Sequence, residues 1–275
     1  MKNLCPSAFS FQSFFFTLFA FFCGCSLLFL TACQRAPQTQ PIRIGMDLSY
    51  PPFEMINEHG DPDGVSVAMA EALSKDLHRP LQIENIPFVG LLPSLQTGKI
   101  DLIISSMTDT PERRKSIAFS DPYLTIALGA LVRQDTPIQT INDLNQPAFK
   151  VAVRQGTTGQ LWAQKNLPQA TLLVFDQEAT AVLEVLQKKA DAFLYDEMSI
   201  WKHHHEHPLE TRALLSSLQQ ESWAIGLRLS DVELRERVNQ FLKNFREEKG
   251  FERLGDRFLS DQKIGFAQKG VPFVF

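Results

Sequence analysis

From Ile42 onward the chain switches repeatedly between two hydrophobic periods. "IRIGMD" (42–47) alternates as a short strand does, whereas "GVSVAMAEALSKDLH" (64–78) brings Val67, Ala70, Ala72 and Leu73 near one helical face. "LQIENI" (81–86) is extended again, "GLLPSLQTGK" (90–99) suits a helix closed by Gly98, and "IDLIIS" (100–105) is apolar enough for a buried strand. Strands alternating with helices predict a sheet covered on both faces. The same alternation restarts at "FKVAVRQGTTGQLWAQKNL" (149–167), continues through "TLLVFD", "EATAVLEVLQKKA" and "DAFLYD", and ends at "ESWAIGLRL". The restart predicts two α/β units of roughly 90 residues each rather than one continuous sheet. Residues 231–259 break the alternation: Leu234, Val238, Phe241, Leu242 and Phe245 fall at helical spacing, charges cover the other face, and no strand follows. This segment is expected to pack back on the first unit.

The beginning of the chain follows neither period. A single Lys2 precedes a Phe- and Leu-rich run from Phe9 to Leu30 that ends in "LTAC", the order of a secretory leader: charge, apolar middle, small residues at the cleavage site. Leu30, Thr31 and Ala32 before Cys33 resemble a bacterial lipobox, which implies a signal peptide at 1–32 and lipidation of Cys33. An uncleaved membrane anchor is the alternative, because the run approaches the roughly 20 residues a span requires. In either case the rest of the chain lies outside the cytoplasm. The polar, proline-containing segment 33–41 suits a tether. All four cysteines lie at or before Cys33, which excludes disulfides, thiol catalysis and cysteine-based zinc sites from the body of the protein.

The composition is globular, and a formal net charge of -4 over 275 residues leaves no basic footprint for nucleic acid. Candidate chemistry lies instead at the strand ends, where ligands of α/β sheets bind. Asp47 and Tyr50 follow the first strand; Ser105, Ser106 and Thr108 follow "IDLII"; Arg154 and "QGTTG" with Thr157 and Thr158 follow "KVAV"; Asp196 closes "DAFLYD". Thr110 is placed as an N-cap with Pro111 at the first helical position, so Arg113 falls in the first turn of a helix. There its planar fork and the free N–H groups of the helix start suit a carboxylate. The turn "QGTTG" offers further N–H groups to the same anion. Asp196 suits an ammonium group, and Tyr50 and Phe88 can serve as aromatic walls. A cation and an anion on opposite lobes with hydroxyls between them describe a receptor for an amino-acid zwitterion.

The segments "GMDLSYPPFE", "GVSVAMAEALSKDL", "PFVGLLPSLQTGKIDLIISSMTDTPERRKSIAFSDPY", "VAVRQGTTG" and "DAFLYD" resemble the family 3 solute-binding proteins of bacterial ABC importers. The resemblance implies two α/β lobes joined by a two-strand hinge, the type II periplasmic binding fold, with crossing strands near Gly129–Arg133 and Trp223–Leu227. Lobe 1 would be 42–129 plus 226–275 and lobe 2 would be 130–225. It further implies that Arg113 pairs with the ligand carboxylate, helped by the N–H groups of Thr108 and Thr158. Asp196, the Ser106 carbonyl and the Thr108 hydroxyl would take the α-ammonium, while Asp47 and Arg154 touch the side chain. Arg114 and Lys115 would face solvent. The expected partners are a polar amino acid and an ABC permease in the inner membrane, with the protein a periplasmic or envelope monomer held by lipidated Cys33. No cofactor or metal is expected.

Asp47, Ser105 and Glu54 suit a cationic side chain, but Arg154 would repel one. A glutamine amide could accept from Arg154 and donate to Asp47, so the reading favours glutamine or another polar uncharged amino acid, with cystine and arginine or another basic amino acid open. "HHHEH" (203–207) spaces His203 and His207 as metal ligands are spaced, yet no third ligand is placed, and a solvated helix end is expected. The alternative to binding is a cleft enzyme of the same fold, such as a cyclohexadienyl dehydratase-like protein. It would require Asp47 or Glu54 to be displaced toward a neutral pKa.

Overall fold

The protein is described by a computed structural model covering residues 40–215 and 218–268. The leader, Cys33, most of the tether and the tail from residue 269 lie outside the described residues. In chain order the first part contains β1 (Ile42–Met46), β2 (Ser49–Tyr50), β3 (Glu54–Ile56), β4 (Pro62–Asp63), α1 (Val65–Asp76), β5 (Leu81–Asn85), α2 (Phe88–Gln96) and β6 (Leu102–Ile103). The single turn α3 (Pro111–Arg114) and β7 (Ala118–Phe119) lead into the long strand β8 (Leu124–Arg133). The second part comprises β9 (Lys150–Arg154), α4 (Thr158–Asn166), β10 (Thr171–Phe175), α5 (Glu178–Leu186), β11 (Ala192–Asp196), α6 (Glu197–Glu206), β12 (Thr211–Leu214) and β13 (Gln220–Trp223). After β14 (Gly226–Leu227) come α7 (Val232–Glu247), α8 (Gly250–Phe258) and α9 (Ser260–Gln268).

The strands assemble into two principal sheets, which makes the molecule a two-lobed α/β protein. One has the order β5-β1-β6-β14-β7, with β1 parallel to β5 and β6; the other has the order β10-β9-β11-β8-β12. Parallel strands need crossovers, and α1 and α2 supply them by burying Val67, Ala70 and Leu73, and Leu91 and Leu95. Ala72, expected on the same face of α1, is only partly buried. Each fully buried Leu or Ile side chain stabilises the fold by roughly 1.5–3 kcal/mol.

The lobes are joined where the first residues of β8 pair antiparallel with β13, Leu124 opposite Trp223 and Ala127 opposite Gln220. This pairing covers residues 124–127 of β8. Gly129 already pairs with Tyr195 in the second sheet, and Gly226 pairs with Ile103 and Phe119 in the first. Strand β8 is long enough to pair with β13 at its start and with β11 and β12 further along.

At the C-terminus, α7 and α8 pack on α1 through Val238, Phe241, Leu242 and Phe251, in agreement with the apolar stripe. Helix α9 packs on α6 as well as α8. Gly265 lies against the Trp201 indole so closely that a Cβ there would come within 2.2 Å of the ring, and Phe266 is packed 6.2 Å from it. The apolar Phe266 of α9 is thus accounted for by burial against Trp201. No described helix is long and apolar enough to cross a membrane.

Candidate ligand-binding cleft

The polar strand ends meet between the lobes. Asp47, Tyr50, Phe88, Ser105, Ser106, Thr108, Arg113, Arg154, Thr157, Thr158 and Asp196 all line one cleft, together with Glu54, Leu128, Tyr195, Glu221 and Trp223. The non-atom space among them is about 450 Å³, part of it open to solvent. Four carboxyl groups (Asp47, Glu54, Asp196, Glu221) face two guanidinium groups (Arg113, Arg154), so the lining has an excess of acid.

Arg113 is placed by its helix start. Thr110 caps α3 by accepting the Arg113 N–H at 3.2 Å, with Pro111 at the first position. The guanidinium then donates through Nη1 to the Thr108 carbonyl at 2.7 Å and through Nη2 to the Gly156 carbonyl at 3.0 Å, one acceptor from each lobe. Gly156 adopts a φ of 75°, a left-handed conformation that glycine tolerates without strain, at the turn that aims this carbonyl. Burial lowers the Arg113 pKa to about 10, so the group stays cationic at neutral pH. Arg114, by contrast, points outward with its side chain 57% exposed and pairs with Asp109.

Asp196 caps α6. Its Oδ1 accepts from the Met198 and Ser199 N–H groups at 3.1 Å and from the Tyr50 hydroxyl of the other lobe at 2.7 Å. Its Oδ2 has no hydrogen-bond partner among the described residues. Burial, reinforced by the nearby Glu178 charge, raises its pKa to about 7. Tyr50 also stacks on Phe53 at 5.4 Å and meets Tyr195 and Trp223 edge-on, so it is both a wall of the cleft and part of an aromatic core.

The pair expected to read the ligand side chain is engaged with itself. Arg154, 2% exposed, donates through Nη2 to Asp47 Oδ2 across the lobes and to Ser49 Oγ at 3.1 Å. It also donates through Nη1 to the Tyr195 hydroxyl and through Nε to the Asp176 carbonyl, each at 3.2 Å. Asp47 accepts in addition from Ser49 Oγ at 2.6 Å and from the Phe88 N–H at 2.8 Å. Sequence spacing cannot register this pairing, because the partners stand 107 positions apart. Phe88 carries both guanidinium groups within cation–π range, Arg113 at 5.5 Å and Arg154 at 5.7 Å from the ring centroid.

Other predicted groups divide between cleft and scaffold. Ser105 Oγ accepts the Asp47 N–H at 2.9 Å, and Thr157 caps α4 while donating to the Arg154 carbonyl at 2.7 Å, so both hydroxyls shape the backbone. Ser106, held at a φ of 47°, donates to Glu54 Oε1 at 2.9 Å, and Ser66 donates to the same oxygen. Burial dominates over these donors and raises the Glu54 pKa to about 8. The hydroxyls of Thr108 and Thr158 both donate to Glu221, a residue that the sequence reading missed because it lies in the hinge strand β13 rather than at a βα junction. His203 faces Glu178 at 2.7 Å and Glu206 at 3.2 Å, and no three potential metal ligands cluster among the described residues.

Comparison with known proteins agrees with this architecture. The arginine-binding protein 1 of an ABC transporter of Escherichia coli K12 is 30% identical over 161 residues, a match spanning 58% of this chain and 65% of that protein. A binding component of an ABC transporter from Wolinella succinogenes, complexed with lysine, superposes with a TM-score of 0.76 at 28% identity, covering 81% of this chain and 97% of its own. An ancestral amino-acid-binding protein, a precursor of cyclohexadienyl dehydratase, superposes with a TM-score of 0.73 at 33% identity over 79% of this chain and 94% of its own. With two α/β lobes around an acid- and arginine-lined cleft, and with residues 42–261 matching the family model, the chain belongs to the bacterial extracellular solute-binding proteins, family 3.

Proposed function

We propose that the protein captures a polar L-amino acid, preferentially one with a basic side chain, between its lobes and delivers it to the permease of an ABC importer. The observation that carries this reading is the Asp47–Arg154 pair. Because Arg154 is neutralised by Asp47 and its donors are engaged, it no longer opposes a cationic side chain, and the bridging geometry that favoured glutamine loses both its groups. Arg113 then takes the ligand carboxylate, Asp196 the α-ammonium, and Glu54 the side-chain cation, whose arrival draws the proton from this high-pKa carboxyl. An arginine-binding relative and a lysine-complexed one support the same class. Closure of the lobes follows from contacts that need both of them at once.

Thermal shift and calorimetry across the twenty common amino acids plus cystine test this proposal. Arginine or lysine is expected to stabilise the protein by about 2.7 kcal/mol at a hundredfold excess over Kd. Binding of glutamine or cystine alone would refute the basic preference, and binding of no amino acid would refute the whole reading. A second reading rests on Glu54, a buried acid with a pKa of about 8 in the cleft, and on the likeness to a dehydratase precursor. Glu54 would act as general acid in an elimination, and turnover of prephenate or arogenate would establish it.

The leader 1–32 and lipidation of Cys33 complete the proposal, placing the protein on the outer side of a membrane as a lipid-tethered monomer. Their support is the lipobox-like "LTAC". Cys33→Ser is expected to move the protein from the membrane fraction to the soluble one, and retention of the variant in the membrane would contradict the anchor.

A further inference from the structure

Glu221 is 3% exposed on β13, and its Oε2 accepts the hydroxyl of Thr108 at 3.0 Å and that of Thr158 at 2.8 Å. Its Oε1 accepts from Gln219 Nε2 at 3.2 Å. Thr108 belongs to lobe 1 and Thr158 to lobe 2, and both line the cleft. A threonine hydroxyl is ambivalent, with one proton to give and lone pairs to offer, whereas an ionised carboxylate can only accept. Burial pushes the Glu221 pKa up, while the Thr158 and Thr108 hydroxyls and the Arg113 charge favour its ionised form. With its proton directed at Glu221, each hydroxyl presents only lone pairs to anything else that enters.

We propose that Glu221 is a positioning residue that sets the hydrogen-bond polarity of the cleft. By holding the protons of Thr108 and Thr158, it makes both hydroxyls acceptors for a ligand ammonium and bars them from donating to a ligand carboxylate. The proposal rests on the amino-acid reading above. Carboxylate recognition falls to Arg113 and main-chain N–H groups, and a des-amino acid, which has no ammonium to offer, leaves the two oriented hydroxyls without a donor. Discrimination for the amine therefore originates partly in a residue that need not touch the ligand.

The test compares Glu221→Gln with the wild type, using calorimetry with L-arginine and with des-amino arginine (δ-guanidinovalerate). If the panel selects glutamine, glutamine and its own des-amino acid replace them. Glutamine keeps the size of the side chain, but its amide can turn an NH2 toward the threonines and release their protons. The preference for the amino acid over the des-amino acid is expected to shrink roughly tenfold, the scale of one hydrogen bond to a charged group. Most of that change should come from weaker amino-acid binding. In a Thr108→Val, Thr158→Val background the same substitution is expected to leave the ratio unchanged, because the hydroxyls through which Glu221 acts are gone. Equal losses for both ligands, or an unchanged ratio in the single variant, would overturn the proposal by reducing Glu221 to a structural hinge residue. A wild type that binds no amino acid would overturn the underlying functional reading as well.

Discussion

Arg113→Ala is expected to weaken amino-acid binding about a hundredfold or more, while Arg114→Ala changes it less than about twofold. The two guanidinium groups are adjacent in sequence and opposite in setting. Arg113 is buried, is aimed by the Thr110 cap, and donates to a main-chain carbonyl of each lobe, which leaves its remaining donors available for a carboxylate. Removing it deletes the fixed cation and strands the Thr108 and Gly156 carbonyls. Arg114 pairs with Asp109 in solvent, where such pairs contribute little. Because Arg113→Ala also removes interlobe bonds, its thermal midpoint should be followed, and Arg113→Lys provides a folded control. Lysine retains the charge but lacks the fork, so an intermediate loss is expected. Equal effects at positions 113 and 114 in calorimetry would contradict the assignment.

Asp196→Asn is expected to lower affinity by a comparable factor with little loss of fold stability. Asparagine is as good an N-cap as aspartate and still accepts from the Tyr50 hydroxyl, so the start of α6 and the contact between lobes persist. Only the charge that faces an ammonium is lost. The same residue makes binding pH-dependent. In the free protein Asp196 holds its proton up to about pH 7, well above the ordinary aspartate value, and a cation can pair only with the deprotonated form. Wild-type affinity should therefore fall as pH drops through about 7 and level off above it, whereas the asparagine variant loses this part of the slope. The sign for folding is opposite. A carboxyl whose folded pKa is raised binds protons more tightly when native, so this group favours the folded state at low pH and opposes it as pH rises from about 4 to 7. An Asp196→Asn variant within threefold of the wild type would place the ammonium elsewhere.

How far the sequence could be read depended on how local each signal was. The end of β6, the Thr110–Pro111 cap and the "QGTTG" turn are short-range features, and each sits where strand and helix periodicity placed it. Their convergence on one cleft was also legible, because strand ends in an α/β sheet point to a common edge. The roles within the cleft were less accessible. Ser105 and Thr157 hold backbone, although their polarity alone suits a ligand equally well. Nor can spacing along the chain say at which residue of the continuous strand β8 the partner changes from β13 to β11 and β12.

By itself the sequence determined the two α/β units, the inventory of charges and hydroxyls at their edges, and the helix start that aims Arg113. These depend on residues within a turn or a strand of one another, where periodicity and capping act. Tertiary structure alone decided that Arg154 is neutralised by Asp47, that Glu221 claims the hydroxyls of Thr108 and Thr158, and that α9 turns to cover Trp201. In the first two cases the charge or hydroxyl was visible, but its partner was not. A buried polar group must find an acceptor or a counter-ion wherever the fold brings one within about 3 Å, and that distance is set by packing of the lobes rather than by spacing along the chain.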